Sequence, residues 1–182
     1  LSLETRRGPA TLSVGFDGGR GTRVPSPELL LPGVSNYFVG KDAASWHTNV
    51  PTYGAVRYDN VYDGVDVRFY GTQRSLEYDF VVRPGSDPSQ FRVAFKGHGA
   101  ARVDDAGDLI LSFGGAEIRQ RQPVVYQESS SGRARVASRY TLAEDGGVAF
   151  ALGAYDPARE LVIDPVLDYA DAFGGSQSYE YA

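Results

Sequence analysis

The 182-residue chain has no cysteine, no methionine, one tryptophan and two histidines. Zero cysteine excludes disulfides, thiolate metal ligands and a thiol nucleophile together, and it suits exported bacterial proteins. The missing methionine leads us to expect a processed or excised piece of a longer polypeptide. No apolar run approaches the roughly 18 residues of a membrane-spanning helix, the longest being broken by Pro32 and Gly33. Basic residues are also few: 18 Lys and Arg stand against 23 Asp and Glu, for a net charge of −5. They are scattered without a basic stripe, which argues against a nucleic-acid partner. No signal-peptide pattern sets the compartment.

What the chain does contain is globular: 42% hydrophobic, 12% aromatic and 23% charged residues, with twelve Tyr and nine Phe. A chain of this size can bury roughly 70% of its unfolded surface. From Val56 to Phe95 a two-residue period recurs three times. Val65, Val67 and Phe69 alternate with Asp66 and Arg68; Leu76, Tyr78 and Phe80 with Glu77 and Asp79; Phe91, Val93 and Phe95 with Arg92 and Ala94. This predicts three strands, each with one apolar and one wet face. A turn at Gly71-Thr72-Gln73-Arg74 sets Phe69 beside Leu76 and Val67 beside Tyr78, with Arg68 opposite Glu77 and Asp66 opposite Asp79.

Along the rest of the chain, Leu1 to Arg7 reads as frayed, Thr11 to Phe16 as a strand, and Val24 to Gly33 as a loop rich in turn residues. Ser35 to Gly40 reads as a short strand, and Lys41 to Thr48 as one helical turn with Asp42 as its cap and Trp46 anchored in the core. Asp87-Pro88 starts another single turn. Segments at 101–103, 109–113, 116–122, 124–127, 133–142, 148–152 and 161–163 continue the strands. About a dozen strands at 8–12-residue spacing without helical periodicity predict an all-β fold, an antiparallel β-sandwich. Residues 1–165 form the domain, and 166–182 a linker with the start of a further β-repeat or a strand-exchange tail.

Few groupings carry chemistry. Asp104, Asp105 and Asp108 cluster around Gly107, as a calcium site requires, but without the remaining ligand positions of an EF-hand; a tight polar hairpin turn is the favoured alternative. Asp66, Glu77 and Asp79 could serve as paired carboxylates for glycoside hydrolysis, against the commoner reading of an ordinary surface ladder partly neutralised by Arg68 and Arg92. His47 and His98 have no zinc spacing, no GxSxG motif is present, and the Gly18-Gly19, Gly114-Gly115 and Gly146-Gly147 pairs fall at turns. Trp46, Tyr53 and Tyr58 are candidates for a sugar-stacking platform, with core packing as the alternative for most tyrosines.

Asn36-Tyr37-Phe38-Val39-Gly40-Lys41-Asp42, Trp46 to Tyr53, Leu76 to Val82 with Pro84-Gly85, Ile118 to Gln127, Gly153-Ala-Tyr-Asp156 and Leu161-Val-Ile-Asp-Pro165 together resemble a domain of uncharacterised function. That domain precedes the repeats of bacterial SBBP (seven-bladed β-propeller) repeat proteins. Leu167-Asp-Tyr-Ala170 and Gly174-Gly-Ser176 resemble the opening strand of the first repeat, although Asp171 and Ala172 depart from the pattern. The resemblance implies a large secreted or cell-surface protein and carries no catalytic residue or cofactor. The expected function is a non-enzymatic structural or adhesive module, self-associating through edge strands or the tail, with protein subunits or cell-surface components as partners. A carbohydrate-binding module is the alternative, and a glycoside-active enzyme comes third.

Overall fold

Val65, Val67, Tyr78 and Phe80 are buried, while Arg68 and Glu77 on the alternate positions keep contact with solvent. The two-residue period of this stretch therefore does set an inner and an outer sheet face. The computed structural model describes residues 2–5, 8–11, 13–19, 24–71, 76–97, 99–113, 116–144, 146–165 and 167–168. In chain order its strands are β1 (Ser2–Thr5), β2 (Gly8–Thr11), β3 (Ser13–Asp17), β4 (Ser26–Tyr37), β5 (His47–Tyr62), β6 (Val65–Gly71), β7 (Leu76–Val82), β8 (Arg92–Lys96) and β9 (Ala101–Val103). They continue as β10 (Leu109–Phe113), β11 (Ala116–Gln120), β12 (Val124–Ser129), β13 (Gly132–Val136), β14 (Ser138–Leu142), β15 (Val148–Leu152), β16 (Leu161–Asp164) and β17 (Leu167–Asp168). The only helical pieces among the described residues are 3-10 turns at Ala43–Ser45 and Pro88–Gln90, capped by the Asp42 and Asp87 carboxylates.

Every described pairing is antiparallel. A seven-stranded sheet in the order β13-β12-β16-β7-β6-β5-β4 forms one layer. Two four-stranded sheets, β14-β15-β8-β3 and β17-β11-β10-β9, supply the side chains that face it, and β1 pairs with β2 as a small separate ladder. The core lies between: Val67, Phe80 and Ile163 from the large sheet meet Val93 and Phe150 from one small sheet and Leu109 and Ile118 from the other. Its centre is aromatic. Phe80 stacks on Phe91 with ring centroids 4.5 Å apart, and meets Phe16 edge-on at 5.6 Å and Phe150 at 5.8 Å.

Several expectations need correction. The connection after β6 is displaced by one residue from the reading, because Gly71 pairs with Leu76 as the last rung. Val67 therefore faces Phe80, Arg68 faces Asp79 and Asp66 faces Val81. A slip of two residues keeps every side chain on its face and changes only its partner. Val24 to Gly33 is mostly strand: β4 is an edge, where Pro27 and Pro32 interrupt fewer ladder bonds than they would in a central strand. Leu1 to Arg7 is not simply frayed, since 2–5 pairs with 8–11. The stretch 133–142 is two strands in different sheets, broken at Ala137, whose carbonyl accepts from the Gly153 amide at 2.7 Å. A Cβ on Gly153 would lie 3.0 Å from the Ala137 Cβ, so the crossing leaves room for glycine alone without a shift. Of the tail, only 167–168 is described: these first two residues of the expected repeat strand Leu167–Ala170 form β17 beside β11, and 169–182 lie outside the described residues.

Removing the central ring tests this packing. Phe80→Ala is expected to cost about 3–5 kcal/mol, read as a lowered urea midpoint. A loss below about 1 kcal/mol would mean that the two layers do not depend on this contact.

Candidate functional site

The outer face of the large sheet collects charge in rows. One rung places Arg57 opposite Arg68, and Arg68 opposite Asp79. Ile163 lies opposite Phe80, so the next rung sets Asp164 beside Asp79. Like charges facing each other across a ladder repel. Asp79 is only 6% exposed and accepts a hydrogen bond from the Tyr70 hydroxyl at 3.0 Å. Burial raises its pKa and Glu77 adds to the rise, while the Tyr70 hydrogen bond and the Arg68 charge pull it down. Burial, then the charges of Asp79 and Glu77, push Asp164 up to about 6 against the opposing pull of Arg133. Tyr70 and Tyr126 are also raised, chiefly by burial. The Arg133 guanidinium caps this end, 4.2 Å over the Tyr126 ring and paired with Glu128 at 2.9 Å.

Most of the other charges on this face are spoken for. Glu28 bridges Arg57 at 3.1 Å and Arg68 at 2.8 Å, and Asp59 takes Arg57 at 2.8 Å and the Ser26 hydroxyl at 3.0 Å. Buried Asp66 accepts from the Asn60 amide and from Arg83, both at 2.6 Å, which ties the β5–β6 turn to the end of β7. Arg68 and Asp66 thus have other ion partners than the expected ones. Glu77 and Asp79 do share the outer face, roughly 7 Å apart by the rise of two strand residues. A recess of about 250 Å³ between β12, β13 and β14 is lined by Pro123, Val125, Arg135 and Ser138 among others, and by neither Glu77, Asp79 nor Asp164. Chemically, burial and its acidic neighbours keep the Asp164 carboxyl protonated up to about pH 6.

The Asp104–Asp108 loop is a β9–β10 hairpin. One Asp104 oxygen accepts from the Ala106 and Asp108 amides at 3.0 Å, and the other takes Arg119 at 2.6 Å. Those backbone bonds and Arg119 lower the Asp104 pKa. Asp108 joins Arg119 at 2.8 Å and accepts from the Gln122 amide, while Asp105 is exposed. A cation entering here competes with Arg119. Among the described residues no three His, Asp or Glu side chains are grouped to hold a metal. His47 opens β5 rather than lying in a loop, and His98 is outside the described residues.

The stacking candidates separate. Tyr58 turns to the inner face, edge-on to Phe69 at 5.8 Å. Trp46 and Tyr53 are exposed, and Trp46 is not the expected core anchor; it packs edge-on against Phe38 at 5.2 Å and donates to the Gly40 carbonyl. Both belong to a feature that sequence reading missed. β5 pairs with β6 only from Ala55 to Tyr62, yet β5 and β4 stay paired out to the His47–Tyr37 rung. The far half of this hairpin projects as a two-stranded arm of ~25 Å. From Leu29 to Tyr53 nine of its large apolar side chains are 40 to 71% exposed, among them Leu30, Val34, Tyr37, Phe38 and Val39, while Val50 is partly buried. An isolated two-stranded ribbon is marginal in water, and contiguous apolar surface on this scale marks an interaction site.

The carboxylate row makes stability depend on pH. Because the folded pKa of Asp164 is raised above its ordinary 3.8, its contribution is fully present below about pH 4 and is lost as pH rises through about 6. Asp164→Asn is expected to raise Tm by about 2–4 °C at pH 7.5 and to leave it unchanged at pH 4. Equal shifts at both pH values, measured by thermal melts, would contradict the raised pKa of Asp164.

Neither a curated protein nor a solved structure matches the chain. One family does, across residues 4–166, a range that includes the sandwich and the arm together. Its description names no function and no SBBP repeat, and no described helix is long and apolar enough to cross a membrane. The chain belongs to that family, the domain of unknown function DUF7948.

Proposed function

We propose that the domain is a non-enzymatic structural or adhesive module that engages a neighbouring protein surface through the β4–β5 arm. The observation that carries this reading is the arm itself, apolar and projecting from a sheet whose polar side chains are largely paired among themselves. Between Leu29 and Gly54 the only Asp, Glu, Lys or Arg residues are Lys41 and Asp42, so docking there desolvates little charge. In the setting implied by the sequence resemblance, the module stands ahead of SBBP repeats in a secreted or cell-surface bacterial protein, and the arm meets those repeats, a second subunit or a surface component.

Carbohydrate binding is the second reading. The edge-on Phe38–Trp46 pair and exposed Tyr53 favour it, because an exposed ring offers apolar contact to a sugar face. A glycan array probed with the wild type and with Trp46→Ala supports this reading only if hits appear and the variant loses them.

A photo-crosslinking residue in place of Tyr53 tests the main proposal in the intact parent polypeptide. Cross-linked peptides from outside residues 1–165, or from a second molecule, are expected. Products confined to the same domain of the same molecule would overturn the docking role.

A further inference from the structure

Neither edge of the arm suits a further strand. β4 carries Pro27 and Pro32, and β5 carries Pro51. Leu29 and Asn49 both stand at φ 56°, and the β4–β5 ladder slips between Leu30 and Val34 and again between Ser35 and Tyr37. Prolines and bulges close a sheet edge to backbone pairing. Cover for the arm must therefore come from packing on its side chains. A short segment that docks by side chains alone binds weakly from solution, but holds its place when a tether keeps its effective concentration near the millimolar range.

The fold brings one such segment to the arm. β5, β6, β7 and β16 are successive antiparallel neighbours, so β16 runs opposite to β5 and ends at the side of the sheet from which the arm projects. The exit is pinned there: the Gln120 side-chain amide donates to the Pro165 carbonyl at 3.3 Å and to the Tyr78 hydroxyl at 3.1 Å. The chain then crosses to β17 in the facing layer, and residues 169–182 follow. Three strand spacings and one layer separate this exit from β5, about 14 Å and about 10 Å, whereas fourteen residues can span ~46 Å. The whole ~25 Å of the arm is within reach.

Composition matches the surface. Residues 169–182 hold Tyr169, Phe173, Tyr179 and Tyr181, with Asp171 and Glu180 and no Lys or Arg. Four such rings bury on the order of 600 Å², less than the roughly 800 Å² per partner of a stable complex between separate molecules, so the contact depends on the tether. The outer sheet face and the 104–108 hairpin present carboxylates that repel an acidic segment. The arm, with Lys41 beside Asp42 at its tip, carries no such excess.

We infer that residues 169–182 fold back along the arm of their own chain and cover its apolar side chains. Tyr169 and Phe173 meet its base at Leu30 and Tyr53, and Tyr179 and Tyr181 reach Phe38 and Trp46 near its tip. This rests on the arm being a docking surface and adds the identity of what docks. The contact adds no ladder bond to β5.

Trp46, the one tryptophan, reports on the arm in the 182-residue chain. Acrylamide quenching of its fluorescence is expected to rise about twofold when Phe173, Tyr179 and Tyr181 are all replaced by Ser, as a tethered contact that covers the ring most of the time requires. The three residues lie outside the sandwich, so its melting temperature is expected to stay unchanged. Equal quenching in the wild type and the triple variant would overturn the inference. So would wild-type quenching that falls as protein concentration rises, because another molecule would then supply the cover. If quenching is equal while the Tyr53 crosslinker in the parent polypeptide captures a surface other than 169–182, the docking role stands and the tail is excluded. If the crosslinker captures nothing outside residues 1–165 of its own molecule, both fall.

Discussion

The stacking of Phe80 on Phe91 is the contact on which the rest of the fold depends. Phe80 is contributed by β7, the middle strand of the seven-stranded sheet, and Phe91 enters just before β8 in the opposing layer. Phe16 and Phe150 close on the same ring from β3 and β15. A chain without disulfides holds its two layers together mainly by such burial, with cross-layer hydrogen bonds from Tyr62 to the Arg92 carbonyl and from Gln120 to the Tyr78 hydroxyl. Because neighbouring strands lock their registers to β7, fixing Phe80 inward also fixes Asp79 outward, beside Arg68 and Asp164. The polar row is thus a consequence of the core.

That coupling explains the division between a closed scaffold and an open arm. On the sheet, Glu28, Asp59 and Asp66 are matched by Arg57, Arg68 and Arg83, and burial beside Asp79 and Glu77 pushes the Asp164 carboxyl up to about 6. At the far end of β4 and β5, by contrast, strands continue beyond the last strand able to cover them. Propensity and pairing hold the ribbon together, yet neither face of it is buried. A surface of that kind is stabilised by whatever encloses it, which is why the arm and not the carboxylate row carries the functional reading.

Much of the sandwich was legible because its signals are local. The alternation at 65–69, 76–80 and 91–95 and the capped turn at Asp87-Pro88 declare themselves within a few residues. Non-local pairing did not. Asp164 beside Asp79 requires that β16 lie against β7, and nothing near either residue encodes that neighbour. The sheet change at Ala137 hides inside a continuing two-residue period, since Val136 of one strand and Tyr140 of the next both point inward. The arm was misread for a different reason: prolines in 24–33 mark a loop in a central strand but are tolerated on an edge, and β4 becomes an edge only once the sheet order is known. Trp46 shows the limit of residue-type reasoning, as a lone tryptophan suggests a core anchor and here packs on Phe38 at the surface.

Backbone hydrogen exchange on the dilute chain tests most directly the claim that a self-sufficient sandwich carries an arm completed by a partner. Amides of β6, β7 and β16 are expected to be strongly protected, while those of His47 to Gly54 exchange many-fold faster. Protection of His47 to Gly54 as full as that of β7 in the dilute chain would contradict the account.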